Sequence, residues 1–192
     1  MNAPLPAAAL DRAALYGHTG AAPAGITTSQ TIGPFFHDGL RWAEEATARI
    51  ATDAPLVEVS GIVHDGQGAP IVDAMLEAWT PAAVAHEQGA PVPGWRRAYT
   101  GEDGRFVLRL SRPTGAAAGQ PLAYVTVFAR GVLKHQFTAV FAADAPGLDG
   151  AALLAQVPAE RRATLLAQPE GGGYRWDVHM QGPRETVFLD YR

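Results

Sequence analysis

From residue 55 onward the chain is written with a period of two. In LVEVSGIVHDG, residues 56–66, Val57 and Val59 fall on one face with Glu58 and Ser60 opposite; in YRWDVHM, residues 174–180, Trp176, Val178 and Met180 alternate with Arg175, Asp177 and His179. Such alternation belongs to strands with one face on a core, because a helix needs its apolar residues three and four apart. IVDAMLEAWT, WRRAYT, RFVLRL, AYVTVFARG, KHQFTAVF and ETVFLD are further candidates, each bounded by turn residues. Asp-Gly pairs at Asp65–Gly66 and Asp103–Gly104 are strong hairpin signals, and the second predicts a meander joining WRRAYT to RFVLRL. About eight short strands with turns at this frequency predict an all-β fold with a β-sandwich core. Helical composition is confined to LRWAEEATARI, residues 40–50, and PAERRATLLAQ, residues 158–168, where Pro158 suits a first turn.

Residues 1–25 are rich in Ala, Pro and Gly without a stable period, so they predict a flexible arm ahead of one domain spanning 26–192. A chain of 192 residues, 47% hydrophobic and 18% charged, supports one domain with a real core. The net charge of -4, with its 15 Lys and Arg scattered, argues against a nucleic-acid partner. With no Cys there is neither a disulfide framework nor a thiolate metal site. No apolar run approaches the roughly 18 to 20 residues of a membrane span, and the N-terminus lacks the basic region of a secretory signal, which predicts a cytoplasmic protein with no membrane partner.

Chemistry is sparse. His18, His37, His64, His86, His135 and His179 form no H-x-H or H-x-x-x-H pair; His37-Asp38-Gly39 and His64-Asp65-Gly66 read as turns, not as a two-His, one-carboxylate site. His179 is expected on a solvent or interface face. The neighbouring acids Glu44–Glu45 and Glu102–Asp103 read as solvated, and no nucleophile elbow, P-loop or dinucleotide fingerprint occurs.

Taken together in order, TSQTIGPFF (28–36), VSGIVHDGQGAPIVDAMLEAWTP (59–81), GEDGRFVLRL (101–110), VTVFARG (125–131) and RWDVHMQGPRETVFLDY (175–191) resemble the intradiol ring-cleavage dioxygenase family. The similarity covers about Ile26 to the C-terminus and leaves out the arm. It implies a β-sandwich core and a hetero-oligomer of αβ units, in which a catalytic β chain holds Fe³⁺ through two Tyr and two His. With O₂, such an enzyme opens 3,4-dihydroxybenzoate to 3-carboxy-cis,cis-muconate in aromatic catabolism.

The resemblance is to the α type, which holds no metal and contributes no catalytic residue of its own. The family's H-x-H aligns with Leu122 and Tyr124, its first tyrosine falls near Glu87, and the loop expected to carry the second reads TGAAAGQ, residues 114–120. Tyr124 and Glu87 alone are too few ligands. What the resemblance gives this chain is a wall of the partner's substrate cleft, made by Thr31, Gly33, Pro34 and Phe35, with Phe36 as an apolar anchor. Gly33 lets the backbone pass close to a ligand, Pro34 fixes the bend, and Phe35 stands where related α chains commonly have Tyr. Arg130 matches an α-chain arginine near the cleft, placed to offer positive charge to a carboxylated catechol, or else to make a surface ion pair. The competing readings are an independently active metalloenzyme of this family and a stand-alone β-sandwich binding module.

Overall fold

The alternation of residues 56–64 becomes β1, Leu56–His64, in which Val57, Val59, Gly61 and Val63 are buried while their neighbours are half-buried or exposed. The computed structural model describes Gly39, Trp42 and residues 56–81, 92–111 and 119–190. Within them follow β2 (Met75–Trp79), β3 (Trp95–Tyr99), β4 (Arg105–Ser111), β5 (Ala123–Phe128), β6 (Gln136–Ala142), β7 (Leu166–Glu170), β8 (Gly173–Arg175) and β9 (Val178–His179). In the C-terminal part the short helix α1 (Ala152–Ala155) lies between 3₁₀ segments at Leu148–Gly150 and Ala159–Leu165.

Strand pairing runs β3-β2-β5-β6-β7-β8-β1-β4, with β9 on the end of β1. The path folds into two layers, β3-β2-β5-β6 facing β7-β8-β1-β4, over one core that takes Val59, Leu76, Ala98, Leu108, Val125 and Val140 from facing strands. The predicted all-β sandwich is what forms. The layers join where β6 pairs in parallel with β7 through Phe141↔Leu166 and Ala142↔Ala167. At the opposite edge β3 and β4 share no ladder. The buried Arg96 of β3 spans that gap, its Nε donating to the Arg109 carbonyl of β4 at 2.9 Å.

Several sequence expectations change. There is no meander through the second Asp-Gly: β3 pairs only with β2, and β4 pairs with β1, so the Asp103–Gly104 turn carries the chain from one layer to the other. The first Asp-Gly likewise makes no two-strand hairpin. Asp65 Oδ1 accepts the backbone N–H groups of Gln67 and Ala69, both at 2.9 Å, and the loop returns only to a His64↔Pro70 bridge. This is side-chain turn chemistry in place of a ladder.

The expected helix at 158–168 stops early. Its first part is the 3₁₀ segment, and from Leu166 the chain is strand, because Leu165 and Ala167 alternate into the core and the Thr164 carbonyl is taken by the Trp176 indole N–H at 2.9 Å. ETVFLD makes only an isolated Phe137↔Leu189 bridge, not a strand. The helix expected at 40–50 lies outside the described residues except for Trp42, which is helical and exposed.

Gly61 has a specific reason to lack a side chain. The chain from β8 to β9 runs directly over it, with the Trp176 N–H donating to the Ser60 carbonyl at 2.8 Å, and a Cβ at Gly61 would stand 1.8 Å from the Trp176 carbonyl oxygen. The same indole packs edge-on against Phe106 at 6.3 Å and an interplanar angle of 84°. Close backbone approach thus seats the largest aromatic of the core.

Candidate functional site

Arg130 sits in the turn that ends β5. The turn closes with the Val132 N–H donating to the Ala129 carbonyl at 3.3 Å and needs Gly131 at φ 79°, in the left-handed region that glycine tolerates. Arg130 Nε lies 2.7 Å from Asp73 Oδ2; the Asp73 side chain is 10% exposed and the arginine 63%. The contact is an ion pair by distance, and neither Asp73 oxygen has an aligned hydrogen-bond donor among the described residues, so charge draws the largely exposed guanidinium to a nearly buried carboxylate. Its solvent-facing N–H groups are free to meet a carboxylate. A small apolar hollow lined by Phe128, Val132, Leu133 and His135 opens beside it.

The second feature is the outer face of the β3-β2-β5-β6 layer. Register places Trp79 opposite both Trp95 and Tyr124, and Glu77 opposite Arg97 and Thr126. Arg97 is ion-paired to Glu77 and lies over the Trp95 ring at 4.7 Å, so the glutamate has a structural partner. Below Tyr124, Ala139 and Phe141 of β6 are covered by Leu154, Val157 and Leu165. At the other end Met75, Tyr99 and Phe128 bury one another. Between these covers an open hollow is lined by Trp79, Tyr124, Thr126 and Phe137, with Trp79 46% and Tyr124 38% exposed.

Leu122 precedes β5 and is buried in the main core, whereas Tyr124 faces the hollow. The positions two apart that share the open face of β5 are Tyr124 and Thr126, as pleating requires. Neither is an imidazole, and the nearby His135 is packed between Phe128 at 5.3 Å and Phe137 at 4.7 Å. Among the described residues, the donor set on this face does not fit a ferric site built of two tyrosines and two histidines. Among the described residues no group of three or more His, Cys, Asp or Glu is placed to hold a metal ion.

Arg130 and Tyr124 are not brought together; at 3.3 Å per residue they stand on the order of 20 Å apart along β5 and its turn. Thr31, Gly33, Pro34, Phe35 and Glu87 lie outside the described residues, as does most of TGAAAGQ. His179, expected on a solvent or interface face, is half-buried, lines an open cleft and stacks on His64 with ring centroids 4.6 Å apart. Sequence reasoning missed the buried Arg96 and Asp73. Their signal was an Arg and an Asp at inward positions of otherwise apolar runs, WRRAY and IVDAM.

No family model matches the chain. Hydroxyquinol 1,2-dioxygenase from Pseudomonas putida DLL-E4 has a similar fold, with a TM-score of 0.50 at 20% identity over 68% of this chain and 57% of that one. The fold is thus that of the intradiol dioxygenases. The protocatechuate 3,4-dioxygenase alpha chain of Burkholderia cepacia is 39% identical over 190 residues, covering 85% of this chain and 96% of that one. The corresponding alpha chain of Pseudomonas putida is 32% identical over 193 residues, covering 86% and 96%. The chain belongs to the protocatechuate 3,4-dioxygenase alpha-chain family and is an alpha subunit of an intradiol ring-cleaving dioxygenase. A stand-alone binding module is not favoured by relatives matched along nearly their whole length. No helix among the described residues is long and apolar enough to cross a membrane.

Proposed function

We propose that this chain is the subunit of a protocatechuate 3,4-dioxygenase that holds no iron and helps form the substrate pocket. It works in the cytoplasm with a β chain that carries Fe³⁺, and together they use O₂ to convert 3,4-dihydroxybenzoate to 3-carboxy-cis,cis-muconate. The Fe³⁺ supplies catecholate binding and activation towards O₂ in the β chain. This chain supplies position. Arg130, ion-paired to Asp73, directs its outward N–H groups at the substrate carboxylate, away from the ring positions that react. Thr31, Gly33, Pro34 and Phe35 wall the same cleft, where the glycine leaves room for the ring and Phe35 makes the wall more apolar than a tyrosine would.

The Arg130 corner carries this reading, since an exposed guanidinium anchored by a nearly buried carboxylate suits recognition of a carboxylated substrate. The test is steady-state kinetics on the assembled, iron-normalised complex. Arg130→Ala is expected to raise KM for 3,4-dihydroxybenzoate about tenfold, the worth of one charge-assisted hydrogen bond of roughly 1.5 kcal/mol, while a catechol without a carboxylate is turned over as before. Gly33→Val lowers kcat/KM at unchanged iron content. An unchanged KM in Arg130→Ala removes this residue from the cleft, and iron held stoichiometrically by this chain alone overturns the division of labour.

A further inference from the structure

The C-terminal third gathers arginines that the proposed reaction does not use. Arg161 on the 3₁₀ segment, Arg175 on β8 and Arg184 in the turn after β9 line one open cleft, together with Glu160, Asp177 and His179. Their charges are not equally committed. Arg175 donates from Nε to Asp177 Oδ1 at 2.8 Å and pairs with the same oxygen through Nη2, and that oxygen also accepts the Ile62 N–H at 2.9 Å. The Asp177–Arg175 pair is therefore internally compensated. Arg161 gives one Nη2 bond of 2.8 Å to the Glu185 carbonyl, but its Nε is buried without an acceptor among the described residues. Arg184 is exposed, and Glu160, also exposed, makes no ion pair among the described residues. With three arginines against Glu160 and Asp177, the cleft is left cationic.

We propose that this cleft is an oxyanion site, which takes a carboxylate or phosphate-type group between Arg161 and Arg184, beside the His179 ring. Two guanidinium groups lining one open cleft are suited to such a group, because charge-assisted bonds to an oxyanion satisfy donors better than a neutral ligand does. The group comes either from a small anion in solution or from an acidic side chain of a companion chain. The site is distinct from the Arg130 corner and does not depend on the role proposed for it.

His179 provides a readout that a purely structural cluster lacks. Its pKa is held below the ordinary 6.5, first by burial, then by Arg184 and the stacked His64, against an opposing pull from Asp177. Arg161, Arg175 and Glu160 line the same cleft. A bound anion offsets the cationic neighbours and favours the imidazolium, so anion affinity rises as pH falls through the His179 titration.

The experiment is calorimetric titration of inorganic sulfate, which keeps its charge across this range, into the assembled complex and into the full-length chain alone. Both are run at pH 7.5 and pH 6.0 against sodium chloride of equal ionic strength. The expected result is saturable binding, tighter at pH 6.0 and weakened at least tenfold by Arg184→Gln, an exposed position, and by Arg161→Gln. Binding by the complex identifies a small-anion site. Binding by the chain alone that disappears on assembly identifies an acidic side chain of the companion as the natural occupant. Absence of saturable binding in both samples, or binding that Arg184→Gln leaves unchanged, overturns the proposal.

Discussion

At the scale of single residues, the tightest constraint is Gly61. A methyl group there meets the Trp176 carbonyl oxygen at 1.8 Å, a backbone atom that cannot turn aside. Gly61→Ala is expected to cost about 3 kcal/mol or more in denaturant unfolding, whereas Gly150→Ala, with open space around its Cβ, changes stability by within about 0.5 kcal/mol. A second prediction concerns His179, whose folded pKa lies below 6.5 because of burial and the neighbouring Arg184 and His64. The unfolded chain takes up this proton first as pH falls. Its contribution to stability is complete above pH 6.5 and is lost as pH drops towards the folded value. His179→Gln should flatten this part of the stability profile, as read from urea midpoints between pH 7.5 and 5.5. A parallel profile for variant and parent would show that the ring does not govern it.

At the scale of elements, period two carried most of the sandwich. β1, β4 and β5 fall where alternation puts them, and Trp176 and Val178 point inward as read. Pairing partners were not legible, because a hairpin signal reports a local turn and Asp103–Gly104 turns between layers instead of within one. β7 was hidden for a different reason. LLAQ has good helix formers, but their preferences are fractions of a kcal/mol per residue and yield to burial of Leu165 and Ala167. The Arg130 corner was half legible: the sequence offered the arginine, while Asp73 is 57 positions away in the chain and only the β2–β5 register brings it close. The link between β7 and the β8–β9 crossing is testable. Trp176→Phe keeps the aromatic packing on Phe106 but leaves the Thr164 carbonyl without its indole donor, so a loss of about 1 to 3 kcal/mol is expected. Equal stability of parent and variant would mean that this bond does not set the end of the 3₁₀ segment.

At the scale of the whole molecule, the outer face around Trp79 and Tyr124 is apolar and open. With a companion chain proposed, the full-length chain alone is expected to self-associate and to become well behaved when co-expressed with a β-type chain. Sedimentation of the two preparations at matched concentration checks this; a monodisperse monomer indifferent to the partner would contradict it. The pairing order has a further consequence, in time rather than space. β1 emerges early in synthesis, yet Ser60 bonds the Tyr174 carbonyl across a separation of 114 residues, and Ile62 bonds Asp177 across 115. A nascent chain on the ribosome therefore holds β1 with one edge unpaired until β8 and β9 have been made. Such a topology folds slowly, in the millisecond to second range, and is exposed to edge-to-edge aggregation while it waits. Ribosome-bound chains truncated before Trp176 should thus remain protease-sensitive throughout, and protection should appear only after the C-terminal segment has cleared the exit tunnel.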